Sequence, residues 1–231
     1  MSILNKDLFL YDPETRKIVN EGVANVNITT LDVIRYELET FVCDGQYEHG
    51  LQLIIESFLN NIGQAEQPAA WVSGFFGSGK SHLVKMLRAL WVNTRFPDGA
   101  TARGIASLPD KIKDLLVELD GEGKRYGGLH AASGTLGAGV SGSVRLSLLQ
   151  IVFRSANLPE QYPIARFVLW MRDQGILHTV RELVEADGCS WEKELDSFLF
   201  SDSIHAALVK TKPTVFSSVD TCANLLAMQY Q

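Results

Sequence analysis

Eight consecutive residues carry the clearest chemistry in the chain: Gly74-Phe75-Phe76-Gly77-Ser78-Gly79-Lys80-Ser81. They match G-x-x-x-x-G-K-[ST], a phosphate-cradling loop, at every fixed position. Gly74, Gly77 and Gly79 permit backbone angles that other residues avoid and bring N–H groups close to an anion. Ser78 lies among those amides. Lys80 adds a mobile full charge at the β and γ phosphates. The Ser81 hydroxyl is placed to ligate Mg²⁺. A helix starting near Gly79 would aim its uncapped N–H groups and positive dipole end at the same phosphates. His82 follows at once; it could approach the nucleotide, although first-turn helix surface is the commoner fate. Phe75 and Phe76 are expected to pack rather than touch a base.

Hydrolysis asks for more than a cradle. An acidic residue at the end of a second core strand has to help hold Mg²⁺. One apolar run ends in acids, Leu115-Leu116-Val117-Glu118-Leu119-Asp120. Its apolar spacing is helical, and Gly121 follows where a helix-capping glycine belongs. The helix reading is favoured, and the catalytic residues stay unassigned. Gly134-Thr135-Leu136-Gly137-Ala138-Gly139 is glycine-rich but is not G-x-G-x-x-G, so a loop is favoured over a second phosphate site. Arg145, Arg154, Arg166 and Arg172 sit on expected helices, where a solvated face is a commoner role than an arginine finger. His130 is a low-grade candidate for sensing nucleotide.

The elements that would position the loop follow from periodicity. Ala69 to Ser73 is a short apolar run and reads as a strand entering the loop. Ser81 to Asn93 reads as a helix leaving it, with Leu83, Leu87 and Leu90 on one face. Upstream, Leu8 to Tyr11 and the alternating Gly22 to Ile28 read as a β-hairpin around an Asp12-Pro13 turn. Thr30 is placed to cap a helix bearing Ile34, Leu38 and Phe41 or Val42. Tyr47 to Asn61 repeats apolar groups at Leu51, Ile54, Ile55 and Phe58. Downstream, Gly128 to Ala132 reads as a second core strand. Val144 to Ala156 is apolar on most sides and is expected to be well buried. Ile164 to Met171 and Leu177 to Val184 carry helical stripes, with weaker helices at Trp191 to Phe200, Ile204 to Val209 and Thr221 to Tyr230.

Composition narrows the function class. The chain has 231 residues, 46% hydrophobic and 21% charged, with a net charge of −6. The apolar share supplies a core, and the negative field does not favour nucleic acid. Cys43, Cys189 and Cys222 are far apart and form no C-x-x-C pair, so they read as inert thiols. The five histidines are scattered and form no legible metal site. No leader-like opening and no membrane-length apolar run are present, so a cytoplasmic location is expected.

Three segments resemble the large ATPases of BREX and Pgl phage-defence systems, the BrxC/PglY type. They are Trp71 to His82, Gly127 to Gly137, and Leu158-Pro159-Glu160-Gln161-Tyr162-Pro163 with Ala165-Arg166-Phe167. The opening strand pair and Glu37 to Phe41 are consistent with that family's N-terminus. The resemblance implies an AAA-like ATPase core within a much longer protein. It also implies partner proteins such as a DNA methyltransferase, and DNA contact only through the larger assembly. In that family the acidic strand comes later than the region seen here.

Together these readings set the expectations. The fold class is α/β, a helix-rich and incomplete P-loop (AAA-like) core with a small N-terminal β-hairpin and helical appendage. The expected division is 1–64 for that appendage and 65–231 for the nucleotide-binding domain. Residues Gly74, Gly77, Ser78, Gly79, Lys80, Ser81 and His82 would bind ATP, with Ser81 on Mg²⁺. The chain would be the front part of a longer ATPase, hydrolysing little by itself. Two other readings stay open: a nucleotide-gated assembly module, which could form homo-oligomers, and a stand-alone hydrolase using Glu118 or Asp120.

Overall fold

The computed structural model describes residues 4, 30–136 and 143–230. The expected β-hairpin, Leu8 to Tyr11 with Gly22 to Ile28, and the end of the Gly134–Gly139 stretch lie outside the described residues. The chain divides into two compact units, Met1–Thr135 and Leu136–Gln231.

The first unit holds five helices in order: α1 (Leu31–Glu39), α2 (Gly45–Asn61), α3 (Lys80–Trp91), α4 (Ala102–Ile105) and α5 (Asp110–Arg125). Their apolar stripes meet in one core. Leu38, Leu51, Ile55, Met86, Leu90, Ile112, Leu116 and Leu119 are almost fully enclosed. Each such side chain contributes roughly 1.5–3 kcal/mol relative to exposure. Helix α2 lies along α5, while α3 is flanked by α1, α4 and α5. The expected 64/65 division therefore falls inside a unit whose core is built from helices on both sides of it.

Two charged features tie this unit together. Lys85 on α3 and Glu37 on α1 are both buried, with Nζ 2.7 Å from Oε2. No hydrogen bond of acceptable direction reaches that oxygen among the described residues, so charge rather than a directed bond holds it. Arg103 on α4 donates to Leu90 O at 2.7 Å, Trp91 O at 2.9 Å, Leu116 O at 2.9 Å and Asp120 Oδ2 at 2.7 Å. It thereby satisfies the last carbonyls of α3, which have no intrahelical partner, and pins α5 to them.

Helix α5 runs past Gly121 to Arg125. The capping glycine is instead Gly127 at φ +86°. The Gly128 N–H reaches Gly123 O at 2.9 Å, closing the turn of a Schellman cap. Gly123 is enclosed within the helix, where Leu129 lies over it and leaves no room for a Cβ.

The second unit contains α6 (Val144–Ser155), α7 (Tyr162–Asp173), α8 (Leu177–Ala186), α9 (Trp191–Asp196), α10 (Asp202–Thr211) and α11 (Val219–Tyr230). Its centre is aromatic. Phe167 and Phe198 stack at 4.5 Å, and Tyr230 meets both edge-on at 5.7 and 5.6 Å, a preferred geometry for rings. The α7 stripe expected from sequence, Ile164, Phe167, Val168 and Met171, is buried throughout. Helix α6 differs from expectation. Only Phe153 is buried, and Val144, Leu146, Leu148 and Val152 are about half exposed or more. Its apolar residues are spread around the axis, and α7 covers one stripe of them.

The α/β P-loop (AAA-like) fold expected above is overturned. Among the described residues the structure is helical and contains no sheet; the single β feature is an isolated antiparallel bridge between Arg95 and Thr101. Ala69 to Ser73 and Gly128 to Ala132 are irregular chain rather than strands. A strand persists only where its N–H and C=O groups find a ladder partner, and neither segment finds one. Trp71, which a core strand would bury, is 92% exposed.

Candidate phosphate-binding loop and adjoining groove

Irregular chain from Ala69 delivers the glycine-rich loop directly onto the N-terminus of α3. Gly77 and Gly79 both stand at φ +79°, the left-handed region that favours glycine. Gly79 is the residue before the helix, and no side chain caps it. The first amides of α3 are thus aimed at the loop without a protein cap, and the dipole adds positive potential there.

Lys80 opens the helix and folds back over the loop. Its Nζ donates to Phe75 O at 2.6 Å and lies 3.4 Å from Ser78 Oγ. Ser78 N–H donates to Phe75 O at 3.2 Å, which closes the turn. Gly74 sits so close to Ser78 Oγ that a Cβ would crowd it. On the outer side, Tyr47 of α2 donates its hydroxyl to Ser78 O at 3.2 Å and covers Gly79. Nothing stands within 4 Å of where a Cβ of Gly77 would be, so the loop is open at Gly77.

Ser81 is exposed in the first turn. The donor set of ammonium, backbone amides and hydroxyl fits an anion carrying Mg²⁺. Mg²⁺ keeps several waters and takes phosphate oxygens, so one protein hydroxyl is an ordinary share.

The His82 ring meets Phe41 edge-on at 5.6 Å and feels the charges of Glu37 and Lys85. Burial lowers its pKa below the ordinary 6.5; the Glu37 charge opposes that and Lys85 adds to it. Phe75 and Phe76, expected to pack, are 90% and 97% exposed.

The acidic candidates do not converge on the loop. Asp120 is held by Arg103 at the last carbonyls of α3. That helix has 12 residues, so its two ends are about 16 Å apart at about 1.5 Å per residue. Glu118 lies on α5 and is exposed. His130 lines a separate groove with Phe58, Val84 and Trp91. In the second unit, Arg154 pairs with Glu160 at 2.7 Å. Arg166 lies over the Tyr162 and Tyr230 rings, and Arg145 and Arg172 are exposed. Cys43 and Cys222 are buried, and burial pushes their thiols up to about 11 and about 12. Among the described residues there is no cluster of three His, Cys, Asp or Glu side chains suited to a metal, and no helix is long and apolar enough to cross a membrane.

Sequence reasoning missed Tyr47 and the Glu37–Lys85 pair. Neither belongs to a motif, and each matters through contacts remote in sequence. No protein-family model matches the chain, and no solved structure matches it.

Proposed function

We propose that the first unit binds the phosphates of ATP with Mg²⁺ through the loop Gly74 to Ser81. The observation that carries this reading is the junction itself. Two left-handed glycines feed an uncapped helix whose first residue is a lysine folded over the loop. A phosphate arriving there would exchange Lys80's neutral carbonyl partner for an anion, and charge-assisted bonds are the stronger kind. Ser81 would reach Mg²⁺, and the amides of Gly77 to Lys80 would surround phosphate oxygens. The reading needs only a loop and a helix end, so it stands without a sheet.

The test is an equilibrium titration of the chain with Mg-ATP, beside Lys80→Ala. Losing a charged hydrogen-bond donor is expected to weaken binding about tenfold or more. Equal affinity in both proteins would refute the loop as the site.

The BREX and Pgl resemblance supports a wider proposal: an ATP-driven role in phage defence beside partners such as a DNA methyltransferase. In cells carrying the complete system, Lys80→Ala should then abolish protection. The assembly-module reading is separated by light scattering, which would show a nucleotide-dependent mass without turnover.

A further inference from the structure

Beside the loop lies a groove of about 530 Å³, a size ordinary for small-molecule sites. One wall is the N-terminal half of α2, with Tyr47, His49 and Gly50. The other is the chain entering the loop, with Trp71. Gly74 and Lys80 belong to both groove and loop, so a molecule in the groove would adjoin anything held by the loop.

Gly50 is the informative residue. It stands inside helix α2, where glycine is a poor helix former. Its backbone does not adopt positive φ, so conformation does not call for glycine. Packing does not call for it either. A Cβ there would meet Leu83 at 3.7 Å, an ordinary contact. What its missing side chain does is leave the groove open. Trp71 also lines the groove, a large ring 92% exposed and outside the buried core. Tyr47 brings a second, half-buried ring, already hydrogen-bonded to the loop at Ser78 O.

We propose that this groove receives the base and ribose of the nucleotide, with Trp71 and Tyr47 offering ring faces to the base. The assignment rests on the loop reading above. The chemistry divides cleanly: the loop offers amides and an ammonium to phosphate, and the groove offers aromatic surface to a flat, weakly polar ring. Base–aromatic stacking is sequence-tolerant, because every base has a π-face. A purine, with the larger face, gains most.

The test compares Mg-ATP with inorganic tripolyphosphate on the full chain. The proteins are the wild type, Gly50→Leu, Trp71→Ala and Lys80→Ala. Leucine is the better helix former, so α2 keeps its fold while the new side chain occupies the groove. Trp71 is too exposed for its loss to unfold the unit. The wild type should prefer ATP by about tenfold or more, the scale of a stacked base. Gly50→Leu and Trp71→Ala should shrink that margin and leave tripolyphosphate binding unchanged. Lys80→Ala should weaken both ligands. Equal wild-type affinity for the two ligands, or a margin that survives both groove variants, overturns the groove assignment and leaves the loop reading standing. Binding of neither ligand by the wild type overturns both.

Discussion

Lys80 and His82 are two residues apart yet face different surroundings. Lys80 reaches back over the open loop, and His82 meets Phe41 and feels the charges of the buried Glu37–Lys85 pair. Motif reading found the first and could not place the second, because a pattern of residue types does not say which side of a first helical turn meets the core. His82 carries a pH consequence. Burial holds its folded pKa below 6.5, so the unfolded chain takes up a proton first as pH falls. That component of stability is fully present above 6.5 and is lost as pH drops from there toward the folded value. Thermal melts should therefore show a falling midpoint from about pH 7.5 to about pH 5.5, with a smaller fall in His82→Gln. An identical fall in both proteins would remove His82 from the explanation. The glycines were legible for a physical reason. Gly77 and Gly79 had to adopt angles that few other residues tolerate, and both stand at φ +79°. Tyr47 was illegible, because its contact with Ser78 spans 31 positions.

At the scale of elements, the helices were readable because one apolar stripe determines one buried face. Leu51 and Ile55 on α2, and Ile164 to Met171 on α7, lie where their spacing put them. The strands were misread, since a short apolar run such as Ala69 to Ser73 has no period to distinguish it. Its fate depends on whether a partner ladder exists elsewhere. The end of α5 was misplaced for a related reason: a glycine after an apolar stripe looks like a cap, but the closing bonds form about two turns later, around Gly127. What sequence could not show at all is how α1 is anchored to α3. Glu37 and Lys85 are 1% and 4% exposed, so removing one partner leaves a buried charge. Glu37→Gln should cost about 3–5 kcal/mol in urea unfolding. Glu37→Leu with Lys85→Met should cost far less, because no charge is then stranded. Equal losses in the two proteins would mean that the helices depend on packing alone.

For the whole molecule, the two units have separate cores, one centred on Met86 and Leu116 and the other on Phe167 and Phe198. Composition foretold enough apolar residues for a core but not their division between two. The division has a functional consequence. All loop and groove residues belong to the first unit, so damage to the second core should spare binding. Phe167→Ala should lower the stability of the second unit by about 3–5 kcal/mol while the ATP affinity stays at the wild-type value under folding conditions. Lost ATP affinity in that variant would tie the site to the second unit.

The central claim is that phosphate sits on the amides between Gly77 and Ser81. The ATP titration followed by backbone amide resonances measures this directly. The account predicts that the largest shifts on adding Mg-ATP fall at Gly77, Ser78, Gly79, Lys80 and Ser81, and that they shrink in Lys80→Ala. Saturable ATP binding whose largest shifts fall elsewhere in the chain would contradict it.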